Sequence, residues 1–424
     1  MFRRSLVFAL SLAACSPNAG GTDTTAASST GVADPTGTST GTDPTTTATG
    51  TTTDTGGTTA PTSTGDSDTG EAIDYTAPGP FVVGNARFVL PAGDRMLPVE
   101  VWYPADAAAA ADAAKGHPIA DFVADGPDRI AFEDLLTKLS PAGKIGTRLQ
   151  TSSALDAAIA AGGPWPLLVF SHCHSCVRFS AFSVAEHLAS HGFIVAAPDH
   201  VGNTLFDELA GNSAAIGEEF LMVRRADLGA VIDAMLDARS SVVPAALRGQ
   251  SDATRIGALG HSFGAASVGR LAQEDPRVLA AMPIAAPIEN PFFPGNKIAD
   301  IHVPLLSILA EEDNSIGGLG NNLIDNNFKL ANPPIRLVRV RDAGHWNFTD
   351  ICGLTAGFSP GCGEGTRQTV PGEAFTYLDI DIGRGIARAY ALAFFDRYLR
   401  DGQSAAAYLD APDPADVVTV EVRE

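Results

Sequence analysis

The residues best suited to covalent chemistry are a serine between two glycines, in Gly260-His261-Ser262-Phe263-Gly264, and a carboxylate and a histidine further along the chain. An alkyl hydroxyl is a weak nucleophile near neutral pH. It needs a base to take its proton, and the base needs an acid to orient it. Gly-x-Ser-x-Gly at a strand-to-helix turn lifts the hydroxyl out of a sheet, and its flanking positions must be small because backbone segments crowd there. Gly260, Gly264 and Ala265 meet that demand. The helix N-terminus beneath the serine offers amide donors to a developing anion. In such an arrangement the acid and the histidine follow the serine in that order. "EEDNS" follows the apolar run 304–310, and "AGHWNF" follows 335–342. This order makes Asp313 the acid and His345 the base, with Glu311 and Glu312 competing for the acid role. The chemistry expected of Ser262, Asp313 and His345 is acyl transfer. The bland alternative is a tight turn in a glycine-rich chain, with an unrelated histidine.

These residues need a scaffold that delivers them to one edge. "LPVEVWYP" (97–104) and the preceding "RFVL" read as strands. "PLLVFSH" (166–172) is a continuous apolar run, as a strand buried on both faces requires. A helix over 178–192, a strand at 193–200 and a long amphipathic helix over 218–240 follow. Then come the strand 255–260, the helix after Ser262, strands at 278–286, 304–310 and 335–342, and a closing helix over 383–402. Strands alternating with helices imply an α/β fold: a mostly parallel sheet with helices on both faces and ligands at the carboxyl ends of its strands. Residues 105–160 are Ala-rich, interrupt this alternation and read as an insertion with the makings of a lid.

The chain opens "MFRRSLVFALSLAACS": two arginines, an apolar stretch too short to span a bilayer, then small residues. Residues 1–14 read as a secretory signal. "LAAC" resembles the lipobox of bacterial lipoproteins, in which the cysteine, here Cys15, carries the lipid. An ordinary signal with a chance cysteine is the alternative. Of the 50 residues at 21–70, 21 are threonine, with no aromatic residue, Lys or Arg. Such a stretch buries too little apolar surface to offset its ordering entropy, so 15–74 reads as a disordered linker and 75–424 as the folded body. The expected location is extracytoplasmic, on a membrane through the lipid anchor. A net charge of −21 argues against a nucleic-acid partner.

Five cysteines are present. Setting Cys15 aside, four in an exported chain suggest disulfides with three connectivities. The local pairs Cys173–Cys176 and Cys352–Cys362 are expected, the second closing the loop "CGLTAGFSPGC". "HCHSC" also admits a zinc reading, weakened by the lack of a second Cys-x-x-Cys or a spaced histidine pair. His187 and His191 belong to a helix, and His172 and His200 sit at strand ends, where supporting hydrogen bonds are expected. Trp346 either lines a cleft or packs.

"LASHGFIVAAPDH", "GHSFGAAS" and "GHWNFTD" together resemble the secreted platelet-activating-factor acetylhydrolases and the bacterial proteins described as predicted dienelactone hydrolases. "EEDNS" is similar to the acid loop of bacterial cutinase-like polyester hydrolases. The resemblance spans about 80–400, apart from most of 105–160. It implies an α/β-hydrolase fold and cofactor-free hydrolysis of carboxylic esters, with Ser262 as nucleophile, Asp313 as acid and His345 as base. It further implies an oxyanion hole made by the backbone N–H groups of Phe263 and His174. In the family the loop before the second of these reads Ser-His-Gly; this chain has Ser171-His172-Cys173. If that glycine uses positive φ, Cys173 is strained.

The expected substrate is a short-chain or lipid ester, with a polyester or a dienelactone as alternatives. "PIAAPI" after the strand at 278–286 lacks the tryptophan of many polyester hydrolases. A binding protein on a hydrolase scaffold is the reading from another class.

Overall fold

The computed structural model describes residues 73–139 and 146–424. The signal segment, Cys15 and the linker up to residue 72 lie outside the described residues, as do 140–145 within the insertion. The described chain opens with the hairpin β1 (Val82–Ala92) and β2 (Arg95–Ala105), closed by the two-residue turn Gly93-Asp94. Helices α1 (Ala110–Lys115) and α2 (Pro127–Lys138) and the short strand β3 (Ala154–Leu155) follow. Next come β4 (Trp165–Ser171), α3 (Phe182–Ser190), β5 (Ile194–Pro198), α4 (Leu205–Leu209), α5 (Glu218–Leu236), β6 (Ser251–His261) and α6 (Phe263–Glu274). Then follow β7 (Val278–Ile284), β8 (Leu305–Ala310), α7 (Gly317–Leu330) and β9 (Ile335–Val340). A small hairpin, β10 (Glu364–Thr366) and β11 (Ala374–Thr376), precedes α8 (Ile380–Leu399), α9 (Gln403–Leu409) and β12 (Val418–Arg423).

The main sheet runs β12-β9-β8-β7-β6-β4-β5-β2-β1-β3. Strands β5, β4, β6, β7, β8 and β9 are parallel, while β2 pairs antiparallel with β5 and β12 with β9. Successive side chains of a strand face opposite sides, and β4 feeds two cores accordingly. Leu168 and Phe170 join a layer with Leu188 of α3 and Phe394 of α8. Leu167 and Val169 join a second layer with Leu228 and Val231 of α5 and Leu271 of α6. This double burial is why the strand reads as one apolar run, and each such Leu or Phe contributes about 1.5–3 kcal/mol of transfer free energy.

The insertion is tied back to the sheet. β3 pairs with β1, and Ala105 bridges Ile159. Phe122 and Phe132 are fully buried, and Phe122 stacks on Phe179 at 4.7 Å between ring centroids. The buried Arg178 joins Glu100 at 3.1 Å and Asp199 at 2.6 Å and donates to the carbonyl of Phe122.

The structure differs from the sequence-based expectation mainly in added elements. α4, α7, α9, β10, β11 and β12 have no counterpart in the sequence reading, the helix expected from Arg178 begins at Phe182, and the closing helix begins three residues earlier than expected. α7 carries three glycines and four asparagines, poor helix formers whose placement here is set by packing of Ile324 and Phe328. Among the described residues, no helix is long and apolar enough to cross a membrane.

Candidate active site

β6 ends at His261 and α6 begins at Phe263, so Ser262 is the single residue of the turn between them. Its φ is 58° and its ψ −121°. A side chain held there costs on the order of 1–3 kcal/mol, and such strain persists only where the surroundings over-determine it. The neighbours show how. A Cβ on Gly264 would run into the carbonyl of Ser171 at the end of β4, and one on Gly260 into the backbone of Gly264. Both glycines are therefore needed for the first turn of α6 to sit against the strand ends. The Ser262 N–H meets the carbonyl of Ile284 at 2.9 Å, fixing the turn to the end of β7. Ser175, Ala285 and Asp342, in loops that follow strands β4, β7 and β9, also have positive φ.

Asp313 follows β8 and His345 follows β9, so both leave the sheet at the same edge as Ser262. Asp313 is fully buried. Its Oδ1 accepts the N–H groups of Ser315 and Ile316 at 2.9 and 3.0 Å. That leaves Oδ2 for His345 Nδ1, 2.7 Å away. A carboxylate only accepts, so Nδ1 carries the proton and Nε2 is left able to take one. Glu312 is turned away: it accepts from the backbone N–H groups of Gln368 and Thr369 and pairs with Arg367. Glu311 is exposed. Of the three adjacent carboxylates, Asp313 is the one on the imidazole.

His261 ties the serine turn to the histidine loop. Its Nε2 donates to the His345 carbonyl at 2.8 Å, and the two rings lie 4.7 Å apart. Burial, with the His345 imidazole alongside, holds His261 well below the usual histidine range, so it is neutral. Among the described residues, no hydrogen bond joins the Ser262 hydroxyl to His345. Proton-transfer contacts are commonly long in ligand-free sites and tighten when substrate binds. Trp346 packs, against Phe358 at 4.4 Å and His261 at 5.4 Å.

The loop after β4 carries His174. Cys173 and Cys176 are joined by a disulfide, as are Cys352 and Cys362. That removes both thiolates from the zinc reading, and no group of three or more His, Cys, Asp or Glu among the described residues is arranged to hold a metal. The strain expected at Cys173 falls two residues later: Ser175 takes the positive φ, at 53°. Phe263 opens α6, so its N–H is one of the donors a helix start leaves unpaired.

Sequence reasoning missed what lies beneath this loop. Arg224 of α5 is fully buried; it reaches the carbonyls of His172 at 2.5 Å and Cys173 at 3.0 Å, and Asn203 Oδ1 at 2.6 Å. Its guanidinium carbon sits 4.3 Å from the ring centre of Phe263. Burial pulls it down to about 9, so it stays charged at neutral pH. Beside it, Ser171 Oγ lies 3.0 Å from His200 Nε2, and His200 Nδ1 lies 3.0 Å from Asp227, which Arg95 also holds. Burial lowers His200 to about 4, so this buried chain is neutral at its imidazole. One signal was available: Arg224 and Asp227 interrupt an otherwise apolar stripe, Leu221, Leu228, Val231, Ile232 and Met235.

Comparisons with known proteins agree with this architecture. Residues 156–350, which include Ser262, Asp313 and His345, match the model of the dienelactone hydrolase family. Residues 70–207 match that of platelet-activating factor acetylhydrolase, isoform II. A cutinase of Thermobifida alba is 35% identical over 130 residues, covering 31% of this chain and 36% of the cutinase. The platelet-activating factor acetylhydrolase of Cavia porcellus is 25% identical over 275 residues, 56% of this chain and 58% of that protein. The chain thus spans between about a third and three fifths of these curated relatives. A ferulic acid esterase from Streptomyces cinnamoneus superposes with a TM-score of 0.61 at 25% identity, over 81% of this chain and 98% of the esterase. The chain has an α/β-hydrolase fold and resembles the platelet-activating factor acetylhydrolases and dienelactone hydrolases.

Proposed function

We propose that this chain hydrolyses carboxylic esters through an acyl intermediate on Ser262. The observation that carries the reading is the 2.7 Å Asp313–His345 pair, bound through the His345 carbonyl to the residue next to a serine in a strained turn. Ser262 Oγ attacks the ester carbonyl carbon while its proton passes to His345 Nε2. Asp313 orients the imidazole and stabilises its charged form. The oxygen that gains the negative charge is met by the backbone N–H groups of His174 and Phe263. The carbon–oxygen bond to the alcohol then breaks, and His345 protonates the departing oxygen. Water repeats the cycle on the acyl group, giving up a proton to His345. Release of the acid returns the proton to Ser262. No cofactor is invoked.

The likeness to platelet-activating factor acetylhydrolases supports a short-chain or lipid ester as substrate, and the likeness to a cutinase supports a polyester as the second class. The N-terminal sequence supports export, cleavage before Cys15 and lipid attachment there. Radiolabelled fatty acid incorporation that is lost in Cys15→Ala tests the anchor. Turnover of nitrophenyl esters graded in acyl length, by the full chain and by Ser262→Ala, tests the activity. Wild-type hydrolysis that falls to background in the variant is expected. Equal rates in the two would refute the reading, and a folded wild type without turnover would favour a binding protein on this scaffold.

A further inference from the structure

A peptide unit is planar and trans, so its C=O and N–H point in opposite directions. Whatever binds the carbonyl of Cys173 therefore sets where the N–H of His174 points. Two donors hold that carbonyl. Arg224 reaches it at 3.0 Å, and His172 Nδ1 reaches it at 2.7 Å. His172 Nε2 accepts the N–H of His200 at 3.0 Å, so the proton of the neutral ring is on Nδ1 and the contact to Cys173 is a donated one. Arg224 also takes the preceding carbonyl, that of His172. Through Asn203 it reaches the His174 ring, since Asn203 Nδ2 lies 2.6 Å from His174 Nδ1. The same guanidinium lies over the ring of Phe263, the residue that opens α6.

Apart from Arg224 and Asp227 the buried face of α5 is apolar, and a cation there is costly unless it is well bonded. The direct partners of Arg224 are two backbone carbonyls, an amide and, at 3.5 Å, the Ser171 hydroxyl, all neutral; the carboxylate of the same helix, Asp227, is hydrogen-bonded to Arg95 and His200 instead. Arg224 is thus a buried positive charge hydrogen-bonded to dipoles that lead toward the oxyanion position.

We propose that Arg224 is a positioning residue for the reaction inferred above. It turns the Cys173–His174 peptide so that the His174 N–H faces the ester oxygen, and it presents its charge through that aligned peptide when the oxygen becomes negative. Its action is on the transition state, which bears the charge, rather than on the neutral ester. This inference rests on the ester-hydrolase reading for its kinetic consequence and on geometry alone for its structural one.

The test compares Arg224→Met, which keeps the stem without the donors, with Arg224→Lys, which keeps the charge with fewer of them. On a short-chain nitrophenyl ester, the Met variant should lose about 100-fold in kcat, the low end for removing one oxyanion donor. KM should stay within about twofold, and the Lys variant should recover part of the loss. A crystal structure of the Met variant should show the Cys173–His174 peptide rotated. Unchanged kcat, or a matched rise in KM alone, would overturn the proposal. So would a Met variant whose peptide direction is that of the wild type. If the Met variant does not fold, Arg224→Lys with the same two readouts decides. If the wild type does not turn over esters, the ester-hydrolase reading fails, and the peptide direction alone decides whether Arg224 sets the loop.

Discussion

His261 Nε2 donates to the carbonyl oxygen of His345 at 2.8 Å, so the residue before the serine holds the backbone of the residue proposed as base. The bond fixes the distance between two loops that come from different strands. In His261→Phe the ring volume stays and the donor goes. Misplacement of about 1 Å costs on the order of 100-fold, so kcat should fall between about tenfold and 100-fold, and His261→Gln should restore part of it. Because His261 is neutral, the pH midpoint of activity should not move. Steady-state kinetics across pH check both statements.

Asp313 and Glu312 are adjacent, buried and differently employed. Asp313→Asn presents an amide to His345 Nδ1 and favours the wrong tautomer, which should lower kcat by about 10⁴-fold. Glu312→Gln weakens the contacts to Arg367 and the 368–369 backbone, away from the imidazole. Its melting temperature should fall while kcat stays within severalfold. Kinetics and thermal melts on both variants separate the two roles.

Gly264 lies against the strand end so closely that any side chain collides with the carbonyl of Ser171. Gly264→Ala must push α6 away from the sheet. Overpacking of this kind costs about 1–3 kcal/mol, and the shift moves Ser262 and the Phe263 N–H together. Loss of turnover in a protein that still melts cooperatively is the expected outcome, with full activity as the contrary one.

Glu186 of α3 is buried, accepts the N–H of Ser152 at 2.7 Å, and is pushed up to about 7 by its burial. Between the unfolded value near 4.5 and 7, the folded chain holds a proton that the unfolded chain has released. Stability from this group is therefore present below 4.5 and is lost as pH rises through 7. At about 1.4 kcal/mol per unit, the wild type should lose about 2 to 3 kcal/mol relative to Glu186→Gln between pH 5 and pH 8. Denaturant unfolding of both proteins at the two pH values measures it, and a difference that does not change with pH counts against the assignment.

Much of this arrangement was legible in the sequence, for identifiable reasons. Strands buried on both faces appear as unbroken apolar runs, and 166–172 and 304–310 were readable on that ground. The small residues around Ser262 encode a close approach of backbone, and the order of Asp313 and His345 after successive strands encodes a shared edge. What escaped depends on tertiary context. α7 is built from glycine and asparagine, which local propensity assigns to turns. β12 is one short alternating run paired only at the sheet edge with β9. The left-handed residue of the loop after β4 is Ser175 rather than Cys173, at a position that no glycine marks in the sequence. Arg224 was visible only as a charge, with Asp227, in a largely apolar stripe, and its main partners are backbone carbonyls that leave no mark in a sequence.

The most direct measurement is covalent labelling of the full chain with a fluorophosphonate, followed by mass spectrometry of the digested protein. A single adduct on the peptide bearing Ser262, formed at least about 100-fold more slowly in His345→Ala, is the result predicted. No adduct on Ser262 in folded protein, or an adduct whose rate does not depend on His345, would contradict the account.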